Sequence, residues 1–562
     1  MKEFSGAYFY SKLKPQKITI NNRIVYIQGN PMRANWDDGA DKWIEDTIRS
    51  IKHSGTQIET CLIERLKVTT GLYLLIVISN NRIFLVSDAI SSYPVFYGNF
   101  RNQFFITDNL EAFQKENGAF RIDINRFEEF LAYGNVLGNR TLYQGVYRVQ
   151  SGELVSIDEK EMESHRHFIF RPSKKPDFYK KQDDFISAFD KLFLSVFSRM
   201  VKNNPQVNNW LVPLSGGHDS RLVVNYLYRL GVKNVICFTY GIPNNTQAQI
   251  SKQVAEALGY EWHFVEYTAE KWQALHSNGL FGEYIDYAFN GVSTPHIQDF
   301  LAIYELKQKG IFNSGDIFLP GHTVVTETET VFGNETLQLK NKESALTYVY
   351  SKILAMKRDL EDDSLMHDAL SEMYDEANVE PRNFMAYCDW QERQSKYITN
   401  SVRAYEFFGF KNYQPMWDWE IFNFWMKMPV EKRVKRDPLY QLEKNGGLVE
   451  QLLEIPFASE TKKSVKAALI KIVKRNIPES LLQRFLRLLK RKARLNEGLN
   501  QVFALSANSV KDMLEPIEDF PPNTQAYFIK FIDRYPYQVN PIILTTLYSI
   551  RRLLDKSKDS DN

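Results

Sequence analysis

The first 170 residues are dominated by short runs of β-branched and aromatic residues separated by turn formers, a pattern typical of β-strands. These runs are Phe4–Tyr10, Lys17–Gln28, Gly71–Ile78, Arg82–Ser87 and Gln103–Ile106. In GLYLLIVISNNRIFLVSD, two apolar runs flank Asn80-Asn81, which predicts a β-hairpin. Apolar residues at helical spacing then predict a helix over 125–133. The pattern indicates an α+β unit of layered sheets.

The pattern changes at about residue 183. A long amphipathic segment, DFISAFDKLFLSVFSRMV, predicts a helix. Beyond it, strands are predicted over 209–214, 235–240 and 262–267, with helices over 220–230 and 247–258 between them. Strands alternating with helices of this length indicate an α/β, doubly wound parallel sheet. After about residue 290 the chain is predicted to be mostly helical.

The composition is that of a globular chain with several domains. At 562 residues, 44% of them hydrophobic and 25% charged, the chain is too long for one compact domain and unlike a disordered protein. Three cysteines are too few and too scattered for a disulfide framework or a zinc site. No signal peptide or membrane span is evident, so a cytoplasmic location is expected.

Charge is distributed unevenly along the chain. Between Thr461 and Leu495 there are 12 Lys or Arg and one acidic residue, so this segment carries +11 and the remainder −9 of a total of +2. Apolar residues at helical spacing, interrupted by Pro478, predict two basic amphipathic helices. Such helices suit an anionic membrane surface or an acidic partner. A helical hairpin packed on the neighbouring domain is the alternative, and the scarcity of interleaved aromatics argues against nucleic acid.

The most informative segment is NWLVPLSGGHDSRLVVNYLYRLG, in which a predicted strand meets a predicted helix at 215–220. Gly216 and Gly217 allow a ligand to approach the backbone closely. The helix N-terminus, with its free amides and nearby hydroxyls, forms an anion site. Asp219 would repel a phosphate unless a cation lay between them, which indicates Mg²⁺ and a polyphosphate. The glycine spacing excludes a Walker A loop; a simple strand-to-helix turn is the alternative.

SGGHDS matches the SGGxDS pyrophosphate loop of the ATP pyrophosphatase superfamily. The resemblance implies an enzyme that cleaves ATP between its α- and β-phosphates, adenylates a carbonyl substrate and lets a nucleophile displace AMP. Tyr240 and Gly241, at the end of the next strand, would border the adenine, and Asp219 would also hold Mg²⁺. The residues that the resemblance assigns to pyrophosphate are Ser215, Gly216, Gly217, Asp219 and Ser220.

Four further segments resemble asparagine synthetase B-like proteins, in the family's order. They are GLYLLIVISNNRIFLVSDAISSYPVFYG, FFITDNLEAF, EEFLAYGNVLGNRTLYQGVYRVQSGELVSID and QERQSKYITNSVRAYEFFGFKNYQPMWDWEIFNFWMKMPVEK. The resemblance implies an Ntn-hydrolase-like β sandwich of α+β class over 1–175. It implies an adenine nucleotide alpha hydrolase-like synthetase domain with a helical C-terminal part over 176–455, and leaves a basic helical extension over 456–562.

The N-terminal unit departs from the family at its nucleophile. Relatives use a cysteine directly after the initiator Met, with its α-amine as the base. Here residue 2 is Lys, the aligned residue is Ser5, and no cysteine precedes Cys61, which is expected to lie in the core. The glutaminase-like domain is therefore predicted to be inactive, with nitrogen supplied by free ammonia or an amine.

The second pyrophosphate loop of the family, SGxGxDE, corresponds to the segment that follows the predicted strand over 317–319. Gly321 is retained, but the Asp is missing. Glu327 or Glu329 is a candidate replacement, and His322 is a candidate phosphate ligand. Ordinary loop roles for these side chains remain the alternative.

A third departure lies in GFKNYQPMWD, where Lys411 and Tyr413 replace a Glu and an Arg of the family pattern. Relatives use that Glu to handle the amine nucleophile. The change from a negative to a positive charge at this position therefore implies a different acceptor or a lost activity. Arg403, Tyr405 and Glu406 are candidate substitutes, and Glu406 is the candidate catalytic group. Pairing on a helix surface is the alternative.

Relatives also carry a late lysine that stabilises the transition state and the departing pyrophosphate. Lys432 and Lys435 are the candidates, in a basic cluster that also contains Lys427, Arg433 and Arg436. A cation aimed at developing negative charge in a closed site supplies several kcal/mol. The alternative for each of these residues is a solvated charge.

The sequence thus predicts an ATP- and Mg²⁺-dependent, AMP-forming amide ligase of the asparagine synthetase type, acting on small-molecule or peptide carboxylates and amines. Relatives that lack the cysteine include β-lactam synthetases and lasso-peptide cyclases, and other homologues modify sugars in surface-polysaccharide clusters. Assembly of two copies of the chain into a homodimer is a further hypothesis. The rival hypothesis is a non-catalytic nucleotide-binding scaffold, which the missing Asp and Lys411 support.

Overall fold

The structure is a computed structural model that describes residues 2–4, 7–10, 15–20, 23–29, 31–33, 43, 46–47, 56–79, 82–158, 161–172, 182–323, 332–353, 364–458, 545–546, 548–550 and 552–553. Some sequence predictions fall elsewhere: Ser5, Glu327, Glu329 and the basic segment 461–495 lie outside the described residues, as does the side chain of Lys435. Within the described residues, no helix is long and apolar enough to cross a membrane.

The N-terminal unit is built from β-strands and helices. Its strands are β1 (Lys2–Phe4), β2 (Ala7–Tyr10), β3 (Gln16–Ile20), β4 (Arg23–Gly29), β5 (Met32–Arg33), β6 (Thr69–Thr70), β7 (Tyr73–Ser79), β8 (Arg82–Ser87), β9 (Phe96–Phe100), β10 (Gln103–Thr107), β11 (Val146–Arg148), β12 (Glu153–Ile157) and β13 (Met162–Arg166). Its helices, as far as they are described, are α1 (Thr56–Leu66), α2 (Leu110–Asn117) and α3 (Ile124–Tyr133). The predicted hairpin is confirmed as β7–β8, and the predicted helix over 125–133 as α3.

The strands of this unit form two large sheets that stack between helices. In the described part, the sheets have the orders β1-β2-β10-β9-β11 and β13-β12-β8-β7-β4-β3. Side chains alternate along β7, so that Leu75 and Val77 pack under α1 while Leu74 and Ile76 meet the other sheet. On the far side of that other sheet, Phe105 packs against α2. The described part of the unit is thus a helix–sheet–sheet–helix sandwich.

Two of the β-rich runs each span parts of two strands. The run Phe4–Tyr10 covers the last residue of β1 and all of β2, and the run Lys17–Gln28 covers most of β3 and β4; both strand pairs are antiparallel. Ser-Gly and Asn-Asn, both turn-forming pairs, stand in the middle of these runs. Apolar residues on both sides of each pair made the runs look continuous.

The rest of the described chain is an α/β domain with helical additions. Its strands are β14 (Trp210–Pro213), β15 (Val235–Gly241), β16 (Glu261–Glu266), β17 (Ile317–Phe318) and β18 (Lys411–Asn412). Its α-helices are α4 (Gln182–Lys202), α5 (His218–Arg229), α6 (Thr246–Ala257), α7 (Ala269–Ser277), α8 (Leu280–Ala288), α9 (Phe300–Gln308), α10 (Lys342–Ile353), α11 (Ser364–Ala377), α12 (Pro381–Cys388), α13 (Arg403–Phe407), α14 (Trp419–Met426), α15 (Val430–Arg433), α16 (Asp437–Leu442) and α17 (Glu450–Leu453). Short 3-10 turns occupy Asn334–Gln338, Thr399–Val402, Pro415–Trp417 and Val434–Arg436, and a π-helical segment occupies Asp389–Ile398. Glu443–Gly447 is a kinked turn in which Asn445 and Gly446 have non-helical backbone angles.

The described strands of this domain form a parallel sheet in the order β16-β15-β14-β17-β18. Both faces are covered: Val212 packs with α4 and α5, while Leu211 packs with α8 and α9. Burial on both faces explains why β14 is apolar throughout rather than alternating. Since all strands run the same way, the segments after β14, β15, β17 and β18 meet at one edge, where open α/β sheets bind ligands.

The two units are joined at the π-helical segment Asp389–Ile398. Its Lys396 is almost fully buried and forms an ion pair of 2.5 Å with Glu392. The Lys396 ammonium also donates to the carbonyl oxygens of Val136 and Gly138 in the N-terminal unit, at 2.6 and 2.9 Å. Because burial without these partners would be unfavourable, the joint holds the two units in fixed contact.

Replacing Lys396 with alanine is expected to lower the free energy of unfolding by about 3–5 kcal/mol, since Glu392 would remain as an unpaired buried charge. Urea unfolding of the full chain measures this. The matched control is Lys252→Ala, which breaks an exposed pair with Glu256 at the same four-residue separation and should change stability by less than about 0.5 kcal/mol. Equal losses in the two variants would contradict a structural role for the joint.

Candidate active site at the carboxyl edge of the parallel sheet

The loop between β14 and α5 folds around its own serine hydroxyls. The Ser215 amide donates to Ser220 Oγ at 3.0 Å, the two hydroxyl oxygens are 3.0 Å apart, and the Gly217 amide donates to Ser215 Oγ at 3.2 Å. Gly217 precedes the first turn of α5 without a side-chain cap. The first amides of α5 therefore have no capping side chain and are available to an anion.

Gly216 is required by close packing rather than by an unusual backbone angle. A Cβ at this position would lie 3.0 Å from Ala458 Cβ and 3.3 Å from Gln247 Cα. The Gly216 carbonyl oxygen also accepts a hydrogen bond of 2.9 Å from the Ala458 amide. The loop is thus fixed from outside by a segment more than 200 residues away in sequence.

Asp219, in the first turn of α5, is paired with Arg436. The guanidinium contacts both carboxylate oxygens, one of them at 3.3 Å. Arg436 is buried and has a φ of 59°, a left-handed conformation that is costly for a residue with a side chain. Its Nε has no hydrogen-bond partner in the described part of the chain. A strained, buried cation placed against Asp219 marks this contact as part of the site.

The segment after β17 reaches the same place. A Cβ on Gly321 would lie 2.8 Å from the Ser220 amide nitrogen, so glycine alone allows this loop to touch the first turn of α5. His322 follows, with Nδ1 3.3 Å from Gln414 Oε1 and Nε2 3.2 Å from Ser401 Oγ. Burial lowers the pKa of His322 to about 4. His322 is therefore a neutral, hydrogen-bonded side chain at physiological pH.

Tyr240 and Gly241 end β15 beside this edge. The Tyr240 hydroxyl donates to Asp299 Oδ1 at 2.5 Å, and its ring stacks on Tyr267. Tyr405 donates to the other oxygen of Asp299 at 2.6 Å. Gly241 has a φ of +130°, which side chains rarely adopt. These contacts place a buried carboxylate with two phenol donors next to the predicted adenine border.

Glu406 lies toward the N-terminal unit. One carboxylate oxygen contacts Arg403 at 2.8 Å and Tyr287 at 3.5 Å, while Oε1 is buried without a hydrogen-bond partner among the described residues. Burial raises the pKa of Glu406 to about 7, against the opposing effect of Arg403. None of these contacts brings Glu406 to the loop at 215–220.

The raised pKa of Glu406 predicts a pH-dependent stability. Between the usual glutamate value of 4.5 and about 7, the folded chain holds a proton that the unfolded chain has lost, so rising pH favours unfolding by up to about 3 kcal/mol. Glu406→Gln removes this contribution, and Arg403 keeps its hydrogen bond to the Ser92 carbonyl oxygen. Urea unfolding at pH 5 and pH 8 should show a smaller loss for the variant. If the parent and the variant lose the same free energy of unfolding between pH 5 and pH 8, the pKa of Glu406 lies near its ordinary value.

The remaining sequence candidates are dispersed. Lys432 is exposed on α15, whereas Arg436, four residues later, makes the contact with Asp219. Lys411 is exposed on β18, so its charge faces solvent. Cys61 is a partly buried free cysteine that packs against the cluster under α1, as expected of a core position.

Sequence reasoning missed two groups at the site. Arg436 was present in the basic cluster, but charge alone could not distinguish it from its neighbours. Asp299 carries no motif; its only local signal is a position directly before α9, which is common to helix starts.

A nucleotide-binding type of α/β domain is thus defined by the parallel sheet, the glycine loop and the converging polar groups at its carboxyl edge. Residues 195–487 match the family model described as asparagine synthase, which is more than half of the chain. The chain therefore belongs to the asparagine synthase family. A comparison with curated proteins finds no significant match.

Solved structures show only distant similarity. The allosteric regulatory enzyme of purine biosynthesis matches at 12% identity over 46% of this chain and 63% of its own, with a TM-score of 0.20. NMN synthetase from Francisella tularensis matches at 12% identity over 42% and 95%, with a TM-score of 0.19. The U34-tRNA thiolase NcsA from Methanococcus maripaludis matches at 16% identity over 43% and 89%, with a TM-score of 0.18. This chain spans less than two thirds of the first of these proteins, and scores at this level do not establish a common fold.

Proposed function

We propose that this protein activates a carboxylate substrate with ATP and joins it to ammonia or an amine. The carboxylate oxygen attacks the α-phosphate, pyrophosphate leaves, and the nucleophilic nitrogen then forms the amide as AMP leaves and a proton is released. The observation that carries the proposal is the glycine loop, in which an uncapped helix N-terminus stands beside Asp219 and Arg436 in a member of this family.

Each part of the loop has a role in this reaction. The first amides of α5 and the hydroxyls of Ser215 and Ser220 would bind the β- and γ-phosphates. Arg436 would face the negative charge that develops on the departing pyrophosphate, which is the role expected from sequence for Lys432 or Lys435. Gly216 and Gly217 would allow the phosphates to approach the backbone.

The donor set also fits Mg²⁺. Asp219 is 31% exposed and its charge is balanced by the guanidinium of Arg436, so the position already accommodates a cation beside the phosphate-binding amides. Mg²⁺ bound there would neutralise phosphate charge during the reaction. His322 is neutral and engaged by Gln414 and Ser401, so it would support the wall of the site rather than add positive charge.

For the N-terminal unit we propose a glutaminase-like domain of the Ntn type that lacks its nucleophile. The helix–sheet–sheet–helix layering supports the first part, and the lack of a cysteine before Cys61 supports the second. The boundaries would be 1–175 for this domain, 176–455 for the synthetase domain and 456–562 for the basic extension. Nitrogen would then arrive as ammonia or as an amine group of the substrate.

This function leaves three alternatives for the substrate. They are aspartate, a substrate that is cyclised to an amide or a lactam, and a sugar acid. Lys411 in place of the family's Glu favours an acceptor other than the usual one. The second candidate function is a nucleotide-binding scaffold without catalysis, which the replacement of the second loop's Asp favours.

ATP–pyrophosphate exchange separates these functions. The full chain is assayed with aspartate, amino-sugar acids and small peptides, and ATP binding is measured in parallel. Exchange with one substrate class supports the ligase and names its carboxylate. ATP binding without exchange in the presence of any of them supports the scaffold. Rapid release of glutamate from glutamine would overturn the loss of glutaminase activity.

A further inference from the structure

A polar corner lies at the edge of the six-stranded sheet, in the N-terminal unit rather than in the α/β domain. Glu163 and His165 are two residues apart on edge strand β13, so they share a face. His165 stands opposite Leu154, whose side chain belongs to the apolar cluster under α1. Glu59 of α1 meets both residues there. At this corner, glutamate and histidine side chains, which commonly bind metal ions, connect a helix to an edge strand.

The three side chains converge on one point. One ligand atom of each lies within 4.8 Å of those of the other two. Glu59 is only 6% exposed, and its Oε1 is 2.6 Å from His165 Nε2. Despite this distance, Glu59 Oε1 has no hydrogen-bond partner within the described ranges. The contact therefore lacks hydrogen-bond geometry and leaves a buried carboxylate oxygen facing an imidazole nitrogen, two ligand types that bind the same cation.

The surrounding charges favour a cation. Arg82 lies 3.8 Å from Glu59, but its guanidinium also contacts Asp158 at 2.5 Å and Glu161 at 3.2 Å. One arginine is thus shared among three carboxylates, and Glu163 adds a fourth negative charge. A buried carboxylate in this setting is stabilised by an additional positive charge.

We propose that Glu59, Glu163 and His165 form a binding site for a divalent cation of the zinc class. One imidazole nitrogen with two carboxylate oxygens is a donor set that suits Zn²⁺, whereas Mg²⁺ and Ca²⁺ prefer oxygen ligands alone. Glu163 and His165 are exposed and give the ion access from solvent. The bound ion fastens α1 to β13 and leaves one coordination position for water.

This site has no local motif, because Glu59 is about 100 residues from the other two ligands and none of the three is a cysteine. The proposal does not depend on the ligase function, since its residues lie in the N-terminal unit rather than in the α/β domain. Its consequence is thermodynamic: an ion that binds only the folded chain raises the unfolding temperature.

The test uses the full chain, freed of metal with a chelator that is then removed. Zn²⁺ is titrated by calorimetry, and thermal unfolding is recorded with Zn²⁺ or, for comparison, Mg²⁺. We expect a Zn²⁺-dependent rise in unfolding temperature that Mg²⁺ does not reproduce. His165→Ala and the milder, exposed Glu163→Gln should each weaken binding at least tenfold. The matched control is His367→Ala, because His367 is an exposed histidine beside Glu343 at 3.4 Å, and it should bind Zn²⁺ like the parent.

Three results would overturn the site. A parent chain with no Zn²⁺-dependent shift would leave only an ion pair between His165 and Glu59. Unchanged affinity in His165→Ala and Glu163→Gln would place the ion elsewhere. An X-ray absorption spectrum with zinc–sulfur scattering would assign the ion to a cysteine. If His165→Ala fails to fold, Glu163→Gln decides the matter alone. ATP–pyrophosphate exchange, measured in the same variants, reports separately on the proposed ligase.

Discussion

Asp219→Ala is expected to reduce ATP–pyrophosphate exchange about a thousandfold or more, while the chain remains folded. Asp219 is the carboxylate in the first turn of α5, next to the amides that are proposed to bind phosphate. Without it, Mg²⁺ would lose its protein ligand, and charge stabilisation worth several kcal/mol would be lost. At about 1.4 kcal/mol for each tenfold change, a loss near 4 kcal/mol corresponds to this factor.

The control for Asp219 is Asp190 of α4, whose partner Arg229 is the last residue of α5. Asp190 pairs with Arg229 in a contact of similar exposure, and Asp190→Asn should leave exchange within about threefold of the parent because it is remote from the loop. Thermal unfolding of both variants establishes that they are folded. Full exchange in Asp219→Ala would show that the loop does not hold the reacting nucleotide through this carboxylate.

Arg436→Ala is expected to lower the rate of exchange by about 10²–10³-fold. The ATP concentration that gives half the maximal rate should change by a smaller factor. Removal of one preorganised donor that acts on developing charge costs about 2.7–4 kcal/mol in an oxyanion hole. The strained backbone and buried guanidinium of Arg436 indicate that the surrounding fold holds it in place for this purpose. Removing it also frees Asp219, so metal and nucleotide binding should be affected less than turnover.

Two further variants make the Arg436 prediction specific. Arg436→Lys retains the charge but cannot contact a carboxylate or phosphate with two parallel donors, and should recover part of the rate. Lys432→Ala, exposed on α15, should retain most of it. A large loss in Lys432→Ala together with normal exchange in Arg436→Ala would reverse this assignment in favour of the lysine expected from sequence.

The α/β domain was predictable from sequence because its signals are local. Each strand and helix from 182 to 266 is a contiguous apolar pattern, and the structure confirms them to within one or two residues. The paired strands β1–β2 and β3–β4 were less predictable, because only two residues separate the strands of each pair and change the apolar pattern very little. Their pairing depends on tertiary contacts that a run of letters does not contain.

The same difference between local and distant signals applies to the residues of the site. The glycine loop could be found because its chemistry lies within six consecutive residues. Arg436 and Asp299 could not, since they reach the loop and the adenine border from separate elements of the fold. Charge patterns identified a basic cluster around 427–436, but only backbone geometry selects the member that contacts Asp219.

The buried joint at Lys396 bears on how this chain could have evolved. A chain that lost its first 175 residues would leave the Lys396 ammonium without the carbonyl oxygens of Val136 and Gly138, and the exposed face of the synthetase half would have to be rebuilt. Loss of an N-terminal nucleophile would carry no such cost. A requirement for the folded α/β domain alone would therefore preserve the N-terminal sandwich as well.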